Sequence, residues 1–445
     1  MRGKLAWRTP LPACPALWTG FQSLPFFHNA RAPLRLERLH MNGSAGYTAA
    51  QKNRIMWVIF VTIFLDMIGF GMVFPLMPFY VKQLGGNSET YGLLLSSFSV
   101  MQLIATPMMG RLSDRFGRRP VILLSLFGNA LSMVLFALAN QLWMIFVSRL
   151  VAGLTAGNIG ACQAVIADVT NKEDRAAAMG KMGAGIGLGM VMGPLFGSAL
   201  AGFGIWAPAL VAAGAALLDL ALAYFLMPET RPATSPQEHT RRAEAAPEES
   251  TWARVGKALR EPQLLMVMGI TFFSFFCLTN IQSSMALLGN ERLGWGEKEV
   301  GRIFAIFGGI TLLVQGVAIG RLVKMVGETT LVRLGAALLA TGQVVVVLAD
   351  STPNMLSGIA IIAMGLAMIN PVTSSLASRY APGDLQGTVL GVTQSAGGLA
   401  RAVGPTIGGY LFHRMGSSSP FMLGVAMALA SLGLGLALRQ QKSQP

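Results

Sequence analysis

The sequence predicts an all-α polytopic membrane protein, with twelve transmembrane helices arranged as two parallel six-helix repeats. Composition, segment length and an internal repeat carry this expectation. Of 445 residues, 53% are hydrophobic and 12% charged, roughly half the charge of a typical soluble domain. Twelve apolar stretches follow one another, each long enough to cross a bilayer as a helix of about 20 residues. The Gly-rich, basic run Gly110-Arg-Leu-Ser-Asp-Arg-Phe-Gly-Arg-Arg-Pro120 returns in weaker form as Gly320-Arg-Leu-Val-Lys-Met-Val-Gly327.

In chain order, residues 1–53 form a basic N-terminal tail. Its first 50 residues hold Arg2, Lys4, Arg8, Arg31, Arg35 and Arg38 against Glu37, and lack the unbroken apolar core of a secretory signal. Two readings stand: an Arg-rich, transit-like extension, or a disordered tail ahead of a start at Met41. The apolar segments then run 54–80, 90–109, 120–139, 142–166, 178–202, 206–227, 263–289, 299–319, 329–348, 353–376, 386–412 and 418–438. Residues 54–227 and 261–438 are therefore expected as two six-helix bundles. Residues 228–260, rich in Pro, Glu, Arg and Ser, bury too little to fold alone and read as a cytoplasmic linker. Residues 439–445 close the chain as a short tail.

Charge sets the topology. Arg111, Arg115, Arg118 and Arg119, then Lys172 and Arg175, then Arg231 to Arg260, then Arg321 and Lys324, all fall in alternate loops. The positive-inside rule places those loops, and both termini, in the cytoplasm. The net charge of +14 is thus a topological signal and not a nucleic-acid footprint. The expected partner at this point is the bilayer, with the protein a monomer. Cys14, Cys162 and Cys277 are scattered, and the four histidines lie far apart. No metal site, cofactor motif or nucleophile–base–acid set appears, so no enzyme is expected.

The repeat extends beyond the charged loop. Gly92 precedes Gly110 as Gly301 precedes Gly320, and Gly193-Pro194-Leu-Phe-Gly197 returns as Gly404-Pro405-Thr-Ile-Gly408. Matches in the same order imply parallel halves.

Few residues inside the segments can carry chemistry. Asp66 in the first segment is costly at membrane depth unless it faces water or a partner. Burial disfavours the charged form of a carboxyl, the property a reversible proton carrier needs; a structural anchor is the alternative. Arg149 in the fourth segment is a second embedded charge, readable as a helix–helix clamp or as a modulator of a nearby acid. Gly189, Gly193, Pro194 and Gly197 combine close-packing glycines with a helix-bending proline. Polar residues expected along a central cavity are Gln102, Asn158, Gln163, Asn280, Gln282, Gln315, Asn370, Gln394 and Arg401, with Phe276 among the phenylalanines of segment 7 as an aromatic wall. Asp219 in segment 6 has no partner legible in the sequence.

Together, Leu65-Asp66-x-x-Gly69-x-Gly71, Pro75-x-x-Pro78, Tyr91-Gly92, the 110–120 loop, Arg149-x-x-x-Gly153, Gly189 to Gly197 and Pro228-Glu229-Thr230 resemble the tetracycline-type drug:proton antiporters of the major facilitator superfamily. The resemblance implies proton-coupled efflux of a small amphiphilic, drug-like compound by alternating access, in a bacterial inner membrane. It implies that Arg149 serves proton coupling, that the Gly189–Gly197 signature marks an exporter, and that Asp114, Arg118 and Asp168 form a cytoplasmic gate. In that gate Arg118 pairs with Asp168 and Asp114 caps helix 11, holding the cytoplasmic side shut. Ser198 replaces the final glycine of the family signature. Tetracycline pumps carry aspartates in helices 3 and 9; neither segment here holds an acid, which argues against tetracycline as substrate. A proton-independent facilitator or metabolite transporter, and a transport-inactive sensor or scaffold, are the alternatives.

The topology is tested by placing a cysteine at Ser235. In sealed right-side-out cells it stays unlabelled by an impermeant maleimide, and labelling there refutes cytoplasmic placement of the linker.

Overall fold

The structure, a computed structural model, describes residues 48–204, 206–230, 255–257, 259–381 and 385–438. The expected N-terminal tail up to residue 47, most of the linker and the last seven residues lie outside the described residues.

Among the described residues stand twelve long helical elements. They are α1 (Ala50–Gln83), α2 (Ser88–Phe116), α3 (Arg118–Ala137), α4 (Leu142–Val169), α5 (Lys172–Leu200), α6 (Trp206–Leu226), α7 (Pro262–Leu293), α8 (Glu297–Val326), α9 (Glu328–Leu348), α10 (Thr352–Tyr380), α11 (Gln386–Met415) and α12 (Ser419–Ala437). Local chemistry sets several boundaries. Thr48 caps α1 in a capping box with Gln51, so the helix starts inside the stretch expected as tail. Asn87 caps α2 through Thr90 N at 2.9 Å. Pro75 and Pro78 force a 3₁₀ turn, Phe74–Leu76, near the end of α1. A π turn, Val314–Ala318, interrupts α8 at Gln315 and Gly316.

The loop expected at 110–119 is nearly all helix. α2 runs to Phe116, α3 starts at Arg118, and Gly117 alone makes the turn at φ 102°. Gly327 does the same between α8 and α9 at φ 80°. Both glycines stand in a region that side-chain-bearing residues rarely enter, so the repeated final glycine is a conformational requirement.

Packing follows the repeat. In the first half α1 lies on α5 and α6, α3 on α6, and α4 on α2 and α3. In the second half α7 lies on α11 and α12, α9 on α12, and α10 on α8 and α9. The halves meet through α2 against α11 and α5 against α8. The repeated glycines explain both seams. A Cβ on Gly92 would strike the Pro405 carbonyl of α11, and one on Gly301 would strike Ser198 and, at 2.8 Å, the Pro194 carbonyl of α5. Ser198, where the family signature has glycine, fills the space that Gly301 leaves. Ser96 also accepts from Thr406 N at 3.1 Å, a direct bond across the α2–α11 seam.

Eleven of the helices are long and apolar enough by composition to cross a bilayer. The twelfth, α11, is 30 residues long but less apolar. It runs between α2 and α7 and exchanges aliphatic side chains for Gly397, Gly398, Gly404 and Gly408 at close contacts.

The halves are joined at one end and open at the other. Contacts run from Gly92–Pro405 to Gly398–Leu103 along α2–α11, and from Gly301–Ser198 to Gly187–Leu312 along α5–α8. Continuing these antiparallel registers sets Gly110 against Gly391 and Gly183 against Gly316. At all four a Cβ meets open space. The open end is the one that carries the 110–120 motif.

Gly92→Ala tests the closed seam. Overpacking of this kind costs about 1–3 kcal/mol, so the substitution depopulates the present arrangement. Labelling of a cysteine introduced at Gly316, measured in inside-out vesicles, falls several-fold in the Gly92→Ala background.

Candidate functional site

The hydrophobic core of the first half is split. One cluster holds Ile55 to Ile63, Ile122 to Leu126, Ala161 to Val169 and Ala223; the other holds Val73 to Val81, Ala130 to Ala137, Ile145 and Ala209 to Ala216. Asp66, Asn129, Asn158 and Asp219 lie between the two, one from each of α1, α3, α4 and α6. The described core of the second half is one continuous cluster. Polar atoms at membrane depth are expensive, and this chain concentrates its embedded carboxyls in one layer of one half.

Within that layer Asn129 Nδ2 donates to Asp66 Oδ1 at 2.6 Å, and Asn158 Nδ2 approaches Oδ2 at 3.4 Å. Cys162 Sγ points back to Asn158 Oδ1 at 3.5 Å. Asp219, only 1% exposed, faces the Thr62 hydroxyl and shares its surroundings with Asp66 and Cys162. Neither of its carboxyl oxygens completes a hydrogen bond among the described residues. Asn129 and Asp219 are members of this site that sequence reasoning did not assign; their spacing from Asp66 carries no periodic signal.

Arg149 is not brought to Asp66. Its guanidinium donates to Ser132 Oγ and Ser148 Oγ, both at 3.2 Å, and lies over the Phe136 ring at 5.2 Å. No carboxylate pairs with it among the described residues. The helix turn that carries Arg149 faces α3 one level away from Asp66, on the far side of the core split.

The signature on α5 does what its spacing requires. Gly189, Gly193 and Gly197 face α1, where side chains would collide with Met67, Gly71 and Met72; at Gly193 a Cβ would come within 2.7 Å of the Gly71 Cα. The second half repeats this contact: Gly404 lies against Thr279, and Gly408 against Asn280, on α7. Pro194 sits at the junction. With Phe70, Gly71, Phe74, Pro75, Met190, Gln282, Phe304 and Phe307 it lines a narrow cleft of about 20 Å³ between the halves.

The other expected cavity residues divide. Gln282 lines the cleft, and Asn158 belongs to the Asp66 layer. Gln163 and Gln394 are exposed, while Gln102, Asn370 and Arg401 are half-buried. Asn280 and Phe276 are buried inside the second half, where Asn280 Nδ2 donates to the Pro420 carbonyl of α12. Those two are packing residues in this arrangement.

The expected gate charges do come together. Arg118, 8% exposed, gives Nε to Asp168 Oδ2 at 3.1 Å and Nη1 to Asp114 Oδ1 and Ser113 Oγ, each at 3.0 Å. Glu229, just past α6, accepts from the backbone N–H groups of Arg118 and Arg119 at 2.8 and 3.1 Å. It places a carboxylate on the positive N-terminus of α3. This cluster forms inside one half while the inter-half space beside it is open, so its pairing alone does not shut that end.

The sequence profile of the Major Facilitator Superfamily matches residues 59–405. The chain belongs to the Major Facilitator Superfamily. It is similar to the class E tetracycline resistance protein of Escherichia coli, 32% identical over 370 residues, with 81% of this chain and 88% of that protein covered. It is also similar to Multidrug resistance protein 2 of Bacillus subtilis (strain 168), 28% identical, with 88% and 97% covered. Among solved structures it resembles the human organic anion transporter MFSD10 (TETRAN), with a TM-score of 0.67, 25% identity, and 86% and 99% of the two chains covered. The protein is a multi-pass membrane transporter of this superfamily and not an enzyme.

The superfamily repeat exposes a feature missed in the sequence. The second copy of the charged motif has Val323 and Lys324 where the first has Ser113 and Asp114. Yet Glu328, at the place of Arg118, accepts from Ser375 Oγ at 2.7 Å and pairs with Arg379 Nε at 3.5 Å. Arg379 ends α10 as Asp168 ends α4. The ion pair is present in both halves with its charges exchanged. Only the offset of about 210 residues, applied to both partners at once, could have revealed it.

Asp168→Asn and Asp114→Asn separate the two contacts of Arg118. Asp114 is 53% exposed, in a range where such pairs give roughly 0.3–0.5 kcal/mol. Asp168 is 25% exposed against a buried guanidinium, which raises the cost to roughly 1–2 kcal/mol after allowance for solvent. Thermal unfolding in detergent therefore shows a clearly larger loss of Tm for Asp168→Asn.

Proposed function

We propose that the protein exports a small amphiphilic compound in exchange for protons, by alternating access, with Asp66 as the group that carries the proton. The observation that carries this reading is the pair of amide partners, Asn129 and Asn158, on the Asp66 carboxyl. A guanidinium has donors only and holds a carboxylate ionised. An amide offers both a donor and an acceptor, so by turning over it can bond either the ionised or the protonated acid. Such a setting allows a proton to come and go without leaving an orphaned partner.

The remaining assignments follow from that centre. Gly189, Gly193, Pro194 and Gly197 let α5 slide closely along α1, so a change at Asp66 reaches the inter-half cleft that Pro194 and Gln282 line. Arg149, clamped to Ser132 and Ser148, acts on coupling through α3, which also bears Asn129. Asp114, Arg118 and Asp168 form the gate layer of the first half, answered by Glu328 and Arg379 in the second. With both termini in the cytoplasm of a bacterial inner membrane, the open end is cytoplasmic and the arrangement described is inward-facing. The protein works as a monomer of two bundles, 54–227 and 261–438, joined by the cytoplasmic linker 228–260. The drug resistance named for the Escherichia coli and Bacillus subtilis relatives supports export over import.

Asp66→Asn tests the central claim, because Asn keeps volume and polarity but cannot carry a proton. In a pump-deficient host, uncoupler-sensitive export of a fluorescent amphiphile falls at least ten-fold, while downhill exchange in proteoliposomes persists. Wild-type, uncoupler-sensitive export by Asp66→Asn would leave Asp66 as a structural anchor only.

A further inference from the structure

Arg401 is a cation at the centre of α11 without a counter-ion among the described residues. It stands about 22 Å along the helix from either end, too deep for its side chain to reach the membrane surface by snorkelling. Three other arginines of the helices have polar partners: Arg149 in serine hydroxyls, Arg119 in the Tyr224 carbonyl, and Arg333 in carbonyls of α12. The one partner seen for the Arg401 guanidinium among the described residues is the face of the Phe275 ring on α7, 4.8 Å from its centroid. The side chain is half-buried, so its donors remain accessible. Gly397 lies against the Phe275 ring, and Gly398 against Leu103 of α2, which seats this group at the seam between the halves.

Two helix faces connect the group to the space on either side. Gln394 is seven residues before Arg401 and shares its face of α11. It is exposed and lies towards the open end. Gln282 is seven residues after Phe275 on the same face of α7, and it lines the aromatic cleft with Phe70, Phe74, Phe304 and Phe307. The guanidinium therefore sits between the open end and a narrow, aromatic-lined cleft about 10 Å further on.

We infer that Arg401 and Phe275 form an oxyanion-binding subsite at the seam between the halves, and that the solute is an organic anion whose carboxylate or sulfonate meets the Arg401 guanidinium. An unpaired cation at membrane depth is stabilised when an anion arrives, and a charge-assisted bond in a partly desolvated site is strong. The ring beneath it keeps the guanidinium in place when the site is empty. This inference specifies the substrate of the proposed transporter, and it rests on that reading for the direction of transport alone.

Equilibrium binding to the purified full chain in detergent, with no proton gradient, tests the subsite apart from coupling. The probes are fluorescein, an aromatic carboxylate, and rhodamine 6G, a cation on the same ring skeleton, followed by fluorescence anisotropy. Wild type binds fluorescein more tightly than rhodamine 6G. Arg401→Gln weakens fluorescein binding about ten- to hundred-fold and leaves rhodamine 6G unchanged, while Arg401→Lys keeps most of the anion preference. Phe275→Leu weakens fluorescein several-fold and carries the test if Arg401→Gln does not fold. Absent fluorescein binding, a preference for the cation in wild type, or full fluorescein affinity in either Arg401→Gln or Phe275→Leu overturns the subsite. Export by Asp66→Asn that survives intact, beside Arg401-dependent binding, would overturn proton coupling and leave this subsite standing.

Discussion

Close approach of helix backbones at repeated glycines is the constraint on which the structure depends. Membrane helices gain little from hydrophobic segregation, since lipid is as apolar as their own side chains, and association rests on packing and hydrogen bonds. Here Gly189, Gly193 and Gly197 bring α5 onto α1, and Gly404 and Gly408 bring α11 onto α7. Gly92 and Gly301 then form the two seams between the halves. Because each seam joins a signature of one half to a glycine of the other, the packing inside a half and the contact between halves share residues. A carrier that rocks one half against the other needs seams of this kind, narrow, free of bulky side chains and matched about a pseudo-twofold axis.

On this symmetric frame the chemistry is unevenly placed. The first half gives up a continuous apolar core and inserts a layer of Asp66, Asn129, Asn158 and Asp219. The second half keeps its core continuous and presents Phe275, Gln282 and Arg401 towards the seam. On the proposed reading, one half is equipped for a proton and the other for a solute. Their closest mechanical link is α5, which touches the Asp66 helix on one face and α8 on the other. Coupling between the two ligands then needs no contact between them, only a dependence of both on the same rigid-body arrangement.

The charged layer at the open end tells a related story. Arg118 with Asp168 and Glu328 with Arg379 occupy equivalent places with exchanged sign. Each pair ties the start of one helix to the end of the next within its own half. Both pairs are intact while the space between the halves is open, so neither depends on the halves being closed.

Membrane class, twelve segments, parallel repeats and the family were legible in the sequence, because each rests on a local or periodic property: apolar runs, basic loops, and glycines at a constant offset. The Arg118–Asp168 pair was legible through motif resemblance, and Asp66 through the cost of a carboxyl at membrane depth. The tertiary structure decided what depends on which side of a helix faces which neighbour. It joined Asp66 to Asn129 and Asn158, kept Arg149 apart from it, and put Asp219 beside that layer. It also placed Asn280 and Phe276 in the interior and Arg401 at the seam. Apart from Arg401 on the less apolar α11, these residues lie in apolar helices, where composition announces a membrane span but not its rotation. That rotation is set by glycine clearances between helices far apart in sequence, and only the packed structure contains them.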